Sequence, residues 1–124
     1  MGDWRQLCRG AEGVSVDGDG IDVIASTERR HRVGVRETAN TYELTGVVAR
    51  LAALSAVSDV PLRAWRRNRG MQLVGFRIDH KGRLVGEAWV PKAGLGREEF
   101  LTYVRRVAAE CDLFEYHLTG KDRE

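Results

Sequence analysis

The residues able to carry chemistry are few and scattered. His31, His80 and His117 lie far apart, and Cys8 and Cys111 sit near opposite ends of the 124-residue chain. A zinc or other transition-metal site needs Cys, His or carboxylate ligands at short spacings, and these residues have none. One acidic stretch offers a cation loop: Asp17, Asp19 and Glu28 stand at positions one, three and twelve of an EF-hand count. Position five is then Ile21, and position six is Asp22 where a glycine must make the sharp turn. The stretch therefore reads as a plain turn. Asp79 and Glu87 resemble the paired acids of some nucleases, but the hairpin register sets them apart and no Lys follows two residues after Glu87. No Ser or Cys has the surroundings of a nucleophile elbow, and neither Gly82 to Gly86 nor Gly94 to Gly96 makes a phosphate loop. The expectation is a chain without catalytic residues, metal or cofactor, working by binding rather than by reaction.

Two groups remain as binding candidates. Arg63, Arg66, Arg67 and Arg69 crowd a short segment beside Trp65. Arginines so placed grip the phosphates of a nucleic acid or receive an acidic peptide, and equally they can form a solvated basic face. The second group is Leu73, Val85 and Trp89, three apolar residues sharing one face of a predicted hairpin. Such a patch is covered by a helix of the same chain, by a second copy, or by a client segment.

The elements that must position these groups follow from periodicity. Asp3 stands where it can cap a short helix over Trp4 to Arg9, whose apolar stripe is too thin to hold it alone. Val14 and Val16, then Ile21 and Val23, alternate around Asp-Gly pairs, giving two short strands or one interrupted strand. Arg30 to Glu37 is a half-buried strand with a basic outer face. From Tyr42 the pattern suits a strand through Gly46 and Val48 or a helix through Val47, Leu51 and Leu54; the β-branched pair favours a strand ending near Ala52. Asp59 and Pro61 start a helix that docks by Leu62 and Trp65 and stops at a left-handed Gly70.

The most informative stretch comes last. Val74, Phe76 and Ile78 share a strand face, and Asp79-His80-Lys81-Gly82 fits a type I turn with a glycine bulge. That register sets Ile78 opposite Leu84, Phe76 opposite Gly86 and Val74 opposite Ala88, with Arg77 diagonal to Glu87. Gly96 caps a final helix with Glu98 and Glu99 in its first turn. Phe100, Val104, Val107, Cys111 and Phe114 form its stripe, and the residues from Gly120 on fray.

Composition fits this outline. One domain spanning 1–124 can bury about two-thirds of its unfolded surface, enough for a core without staples. The net charge of +2 demands no acidic partner, although seventeen of the 20 basic residues are Arg. No run approaches the roughly 20 apolar residues of a membrane span, and the N-terminus carries no signal-peptide core, so no membrane role and a cytoplasmic location are expected.

With the elements ordered α-β-β-β-α-β-β-α, the fold class is α+β, an antiparallel sheet with helices packed on it. LRAWRRNR (62–69), GFRID-x-x-GR-x-VGEAWVP (75–91), L-x-REEF-x-x-YV (95–104) and ECD-x-FEY-x-LTG (110–120) resemble the YbjN-like proteins, which share the fold of class I type III secretion chaperones. The resemblance covers Leu62 to Gly120 and includes Asn68, the Asp-x-x-Gly turn and the acidic start of the last helix. Upstream of Tyr42 it is one of element order alone. It implies a compact, usually dimeric domain that binds protein, with no shared catalytic residues. The short first helix departs from the chaperone pattern, in which that helix helps form the client groove.

Overall fold

Alternation of apolar and polar residues drives most of the first fifty positions into strands, and a 3.6-residue period takes over at the end. The computed structural model describes residues 3–24, 30–70 and 73–119. Helix α1 (Trp4–Leu7) precedes strands β1 (Val14–Asp17), β2 (Gly20–Ile24), β3 (Arg30–Glu37) and β4 (Thr41–Ala49). Helical turn α2 (Leu51–Leu54) and helix α3 (Val60–Asn68) follow, then β5 (Gly75–Ile78), β6 (Leu84–Pro91) and α4 (Arg97–Thr119). The strands form one open antiparallel sheet in the order β1-β2-β3-β4-β6-β5. The class is α+β, as expected.

Two boundaries differ from the sequence reading. The Asp-Gly segment takes the first of its two alternatives, two short strands, so four strands precede α3 where the expected element order counted three. Gly18 takes φ +65° in the two-residue loop between them, a conformation glycine reaches without strain. The strand from Tyr42 ends at Ala49 rather than near Ala52. Its register against β6 slips between Val47 and Ala49, and after that bulge the chain winds into α2. Glu28 and the residues from Gly120 on lie outside the described residues.

One sheet face is dry. Ile21, Val23, Val33, Tyr42, Leu44, Val48, Leu84, Ala88, Val90 and Phe76 point to α4, which meets them with Phe100, Val104, Val107, Cys111, Phe114 and Leu118. The stripe read from the sequence is therefore the buried stripe. Tyr42 packs edge-on to Phe100 at 5.6 Å, and Phe76 to Phe114 at 4.8 Å. Gly46 and Gly86 sit opposite each other in the register, and both face Cys111. A Cβ at Gly86 would lie 2.6 Å from Cys111 Sγ, and one at Gly46 3.0 Å away. The glycine pair thus makes the niche that lets α4 approach. Burial pushes the Cys111 thiol up to about 12. Cys8 is raised in the same direction by burial, so both act as small core residues.

The hairpin has the register its sequence dictates, with Ile78 opposite Leu84 and Phe76 opposite Gly86. Gly82 N–H donates to Asp79 O at 3.0 Å, with Gly82 at φ +78°. Asp79 Oδ1 accepts from the Lys81 and Arg83 backbone N–H groups, both at 2.9 Å, while Oδ2 accepts from Arg83 Nε at 2.8 Å. Burial alone would raise the Asp79 carboxyl, but these N–H donors and the Arg83 guanidinium outweigh it and hold it at about 2. Gly96 caps α4, with its N–H donating to Glu99 Oε1 at 3.0 Å. Trp4 anchors α1, and Arg97 and Arg105 of α4 donate to the carbonyls of Arg9 and Glu12 beyond it.

Helix α3 docks differently from the expectation. Leu62 and Trp65 point to solvent, Trp65 being 57 % exposed, while Val60 and Ala64 are buried. The reason lies in Asn68. Its side-chain amide donates to Phe76 O at 2.9 Å and accepts from Phe76 N–H at 2.7 Å, so hydrogen bonds as well as apolar area fix the helix to β5. Nor is Gly70 left-handed; the helix closes through Arg69 in the right-handed region, with Gly70 N–H on Arg67 O at 3.0 Å.

Candidate binding surfaces

The scattered titratable residues stay scattered. His31 lies on β3 opposite Val23, His80 in the β5–β6 turn and His117 near the end of α4. Among the described residues no three His, Cys, Asp or Glu side chains are placed to hold a metal ion. The acids of the β1–β2 turn are engaged by an arginine. Arg32 stands 3.4 Å from Asp17, 3.5 Å from Asp19 and 3.8 Å from Asp22, and its guanidinium lies across Gly20. Asp79 is tied into its turn, and Glu87 pairs with Arg77 at 2.9 Å, the diagonal partnership the register implies.

The four arginines of α3 do not form one stripe. Arg69 leans over the Trp65 ring at 5.2 Å. Arg63, Arg66 and Arg67 instead line an open depression of about 330 Å³ with Phe114 and His117 of α4. Arg63 Nη2 donates to His117 O at 3.3 Å. Arg67 stacks its guanidinium 4.6 Å from the Phe114 ring, and its Nη1 is 3.0 Å from His117 Nδ1. Arginine has no acceptor, so Nδ1 must accept that bond; the neutral His117 ring then carries its proton on Nε2. Arg67 Nε is covered and has no acceptor. Among the described residues, none of these three arginines pairs with a carboxylate.

The other sheet face is mainly polar, with Ile24 and Trp89 as its exposed large apolar residues. Its strands present Asp17, Asp22, Arg32, Arg36, Glu43, Thr45, Glu87 and Arg77, in part joined as ion pairs such as Arg36–Glu43 at 3.4 Å. Trp89, opposite Glu43, is 62 % exposed. The three residues singled out by the sequence separate here. Trp89 is open, Leu73 is partly buried against the core, and Val85 is fully buried between Val47 and Arg77 in the register. Val85 is thus taken up by the chain's own packing, which leaves Trp89 as the exposed member of the three.

Phe114, a core residue of the α4 stripe as expected, and His117 also line the depression. Their spacing, one helical turn, was visible; that α3 would lie beside that turn was not. No family model and no curated protein matches this sequence. Among the described residues, no helix is long and apolar enough to cross a membrane.

Proposed function

We propose that this chain is a non-enzymatic protein-binding module, chaperone-like or regulatory, that acts as a homodimer in the cytoplasm. The observation that carries the reading is Trp89, exposed on a sheet face that α4 leaves open. Tryptophan is the residue type most enriched at binding hot spots, and its large area gains most when a partner excludes water. Glu43, Glu87, Arg36 and Arg77 frame it as a charged rim. The resemblance of Leu62 to Gly120 to the YbjN-like proteins supports the same class and a dimeric state.

Light scattering over a hundred-fold concentration range tests this. The expected result is a dimer that Trp89→Glu converts to a monomer without lowering the melting temperature. A monomer at every concentration, or a dimer indifferent to Trp89→Glu, overturns it.

The second reading is a small nucleic-acid-binding regulator using the Arg-rich helix 61–69. The gathering of Arg63, Arg66 and Arg67, with no carboxylate among the described lining residues, favours an anionic ligand, but a helix of nine residues offers little to a groove. A salt-sensitive mobility shift with mixed DNA and RNA is the result it requires.

A further inference from the structure

We propose that the depression between α3 and the last turns of α4 binds a multiply charged oxyanion of the phosphate class. Three guanidinium groups converge there, from Arg63, Arg66 and Arg67, and among the described residues the lining includes no acid. Glu110, one helical turn before Phe114, is turned to Arg106 at 3.9 Å. Like charges brought together repel, and an oxyanion is a partner that removes the repulsion.

The arrangement is also pre-set. Phe114 supports the plane of Arg67 from one side and His117 Nδ1 holds its Nη1, so little side-chain freedom is left to lose on binding. The covered Arg67 Nε, lacking any acceptor, leaves that guanidinium short of partners. Arg63 is likewise held, through His117 O. Arg66 is exposed and, among the described residues, engaged by no carboxylate, so it can close over a bound group. Three cations suit a dianion better than a single carboxylate, and forked N–H donors match phosphate oxygens. The site lies on the helices and does not depend on what covers Trp89.

The test measures melting temperature and calorimetric binding for the full chain with inorganic phosphate, against chloride at matched ionic strength. At ten times its dissociation constant, phosphate should raise the melting temperature by about 5 °C. Arg66→Gln, at an exposed position, should keep the fold and weaken phosphate at least about ten-fold. Two further arms use a phosphoserine peptide and the same peptide with unmodified serine. Tighter binding of the phosphopeptide than of phosphate assigns the group to a protein segment; equal binding assigns it to a free phosphate or small ester. Both outcomes support the site. An equal effect of chloride, or an undiminished phosphate effect in Arg66→Gln, overturns it. So does preferential binding of a short oligonucleotide that Arg69→Gln abolishes, which would move the ligand to the helix as a whole.

Discussion

The two edges of the sheet are finished by different means. At β5, the Asn68 amide occupies both outward-facing backbone groups of Phe76, much as another strand would, and α3 lies along that edge. At β1, a short hairpin ends the sheet and is steadied from the exposed face by Arg32 and three acids. Unpaired strand edges invite association, and proteins cover, shorten or charge them. This chain covers one edge and shortens and charges the other. The difference teaches what fixes α3. A helix held partly by hydrogen bonds need not bury its largest apolar residues, so Leu62 and Trp65 stay outside while Arg63, Arg66 and Arg67 turn towards α4.

That contrast can be broken experimentally. Asn68→Leu, at the covered edge, should destabilise by about 3 kcal/mol in urea unfolding and speed hydrogen exchange at the Phe76 amide, because two backbone groups lose their partners. A loss under about 0.5 kcal/mol would mean that water serves the edge equally well. Gly86→Ala, on the strand beside that edge, should cost about 2 kcal/mol through overpacking against Cys111 and Phe76. Adding Cys111→Ala should recover part of the loss, and complete additivity of the two changes would place the strain elsewhere.

Asp79→Asn, in the turn that joins β5 to β6, should lower stability by about 1.5 kcal/mol near neutral pH. The folded carboxyl titrates at about 2, below its ordinary value of 3.8. Its contribution is therefore complete above the ordinary value and disappears as pH falls towards about 2. Melting curves across that interval should drop for the parent chain and flatten for Asp79→Asn; parallel curves would contradict the assignment. Arg32→Gln, at the open edge, should change stability by no more than about 0.5 kcal/mol, less in high salt, since its pairs are solvent-exposed. If it matched Asn68→Leu in effect, the two edges would be equivalent and the comparison would fail.

How much of this was legible follows the same division. The hairpin register, the cap at Gly96 and the α4 stripe were readable, because local turn chemistry and periodicity determine them. Helix α3 was placed correctly but turned the wrong way. Hydropathy ranks Leu62 and Trp65 above Val60 and Ala64, and nothing in a periodicity reveals that Asn68 will bond to a strand edge. Val85 does lie on the outer face that alternation gives it, beside Glu87 and Trp89, but alternation does not reveal that the tertiary arrangement buries that one position. The depression was half visible, its arginines adjacent in sequence but its far wall about fifty residues away.

The placement of the tryptophans has a use beyond packing. Trp4 is buried in the core, Trp65 is exposed on α3 under Arg69, and Trp89 is exposed on the sheet face. Each samples a different surrounding, so variants keeping a single indole give three optical reporters. Unfolding should red-shift the emission of Trp4. A ligand on the outer side of α3, beside Arg69, should alter Trp65, and a partner on the sheet should blue-shift Trp89, so the emission spectrum separates those two surfaces.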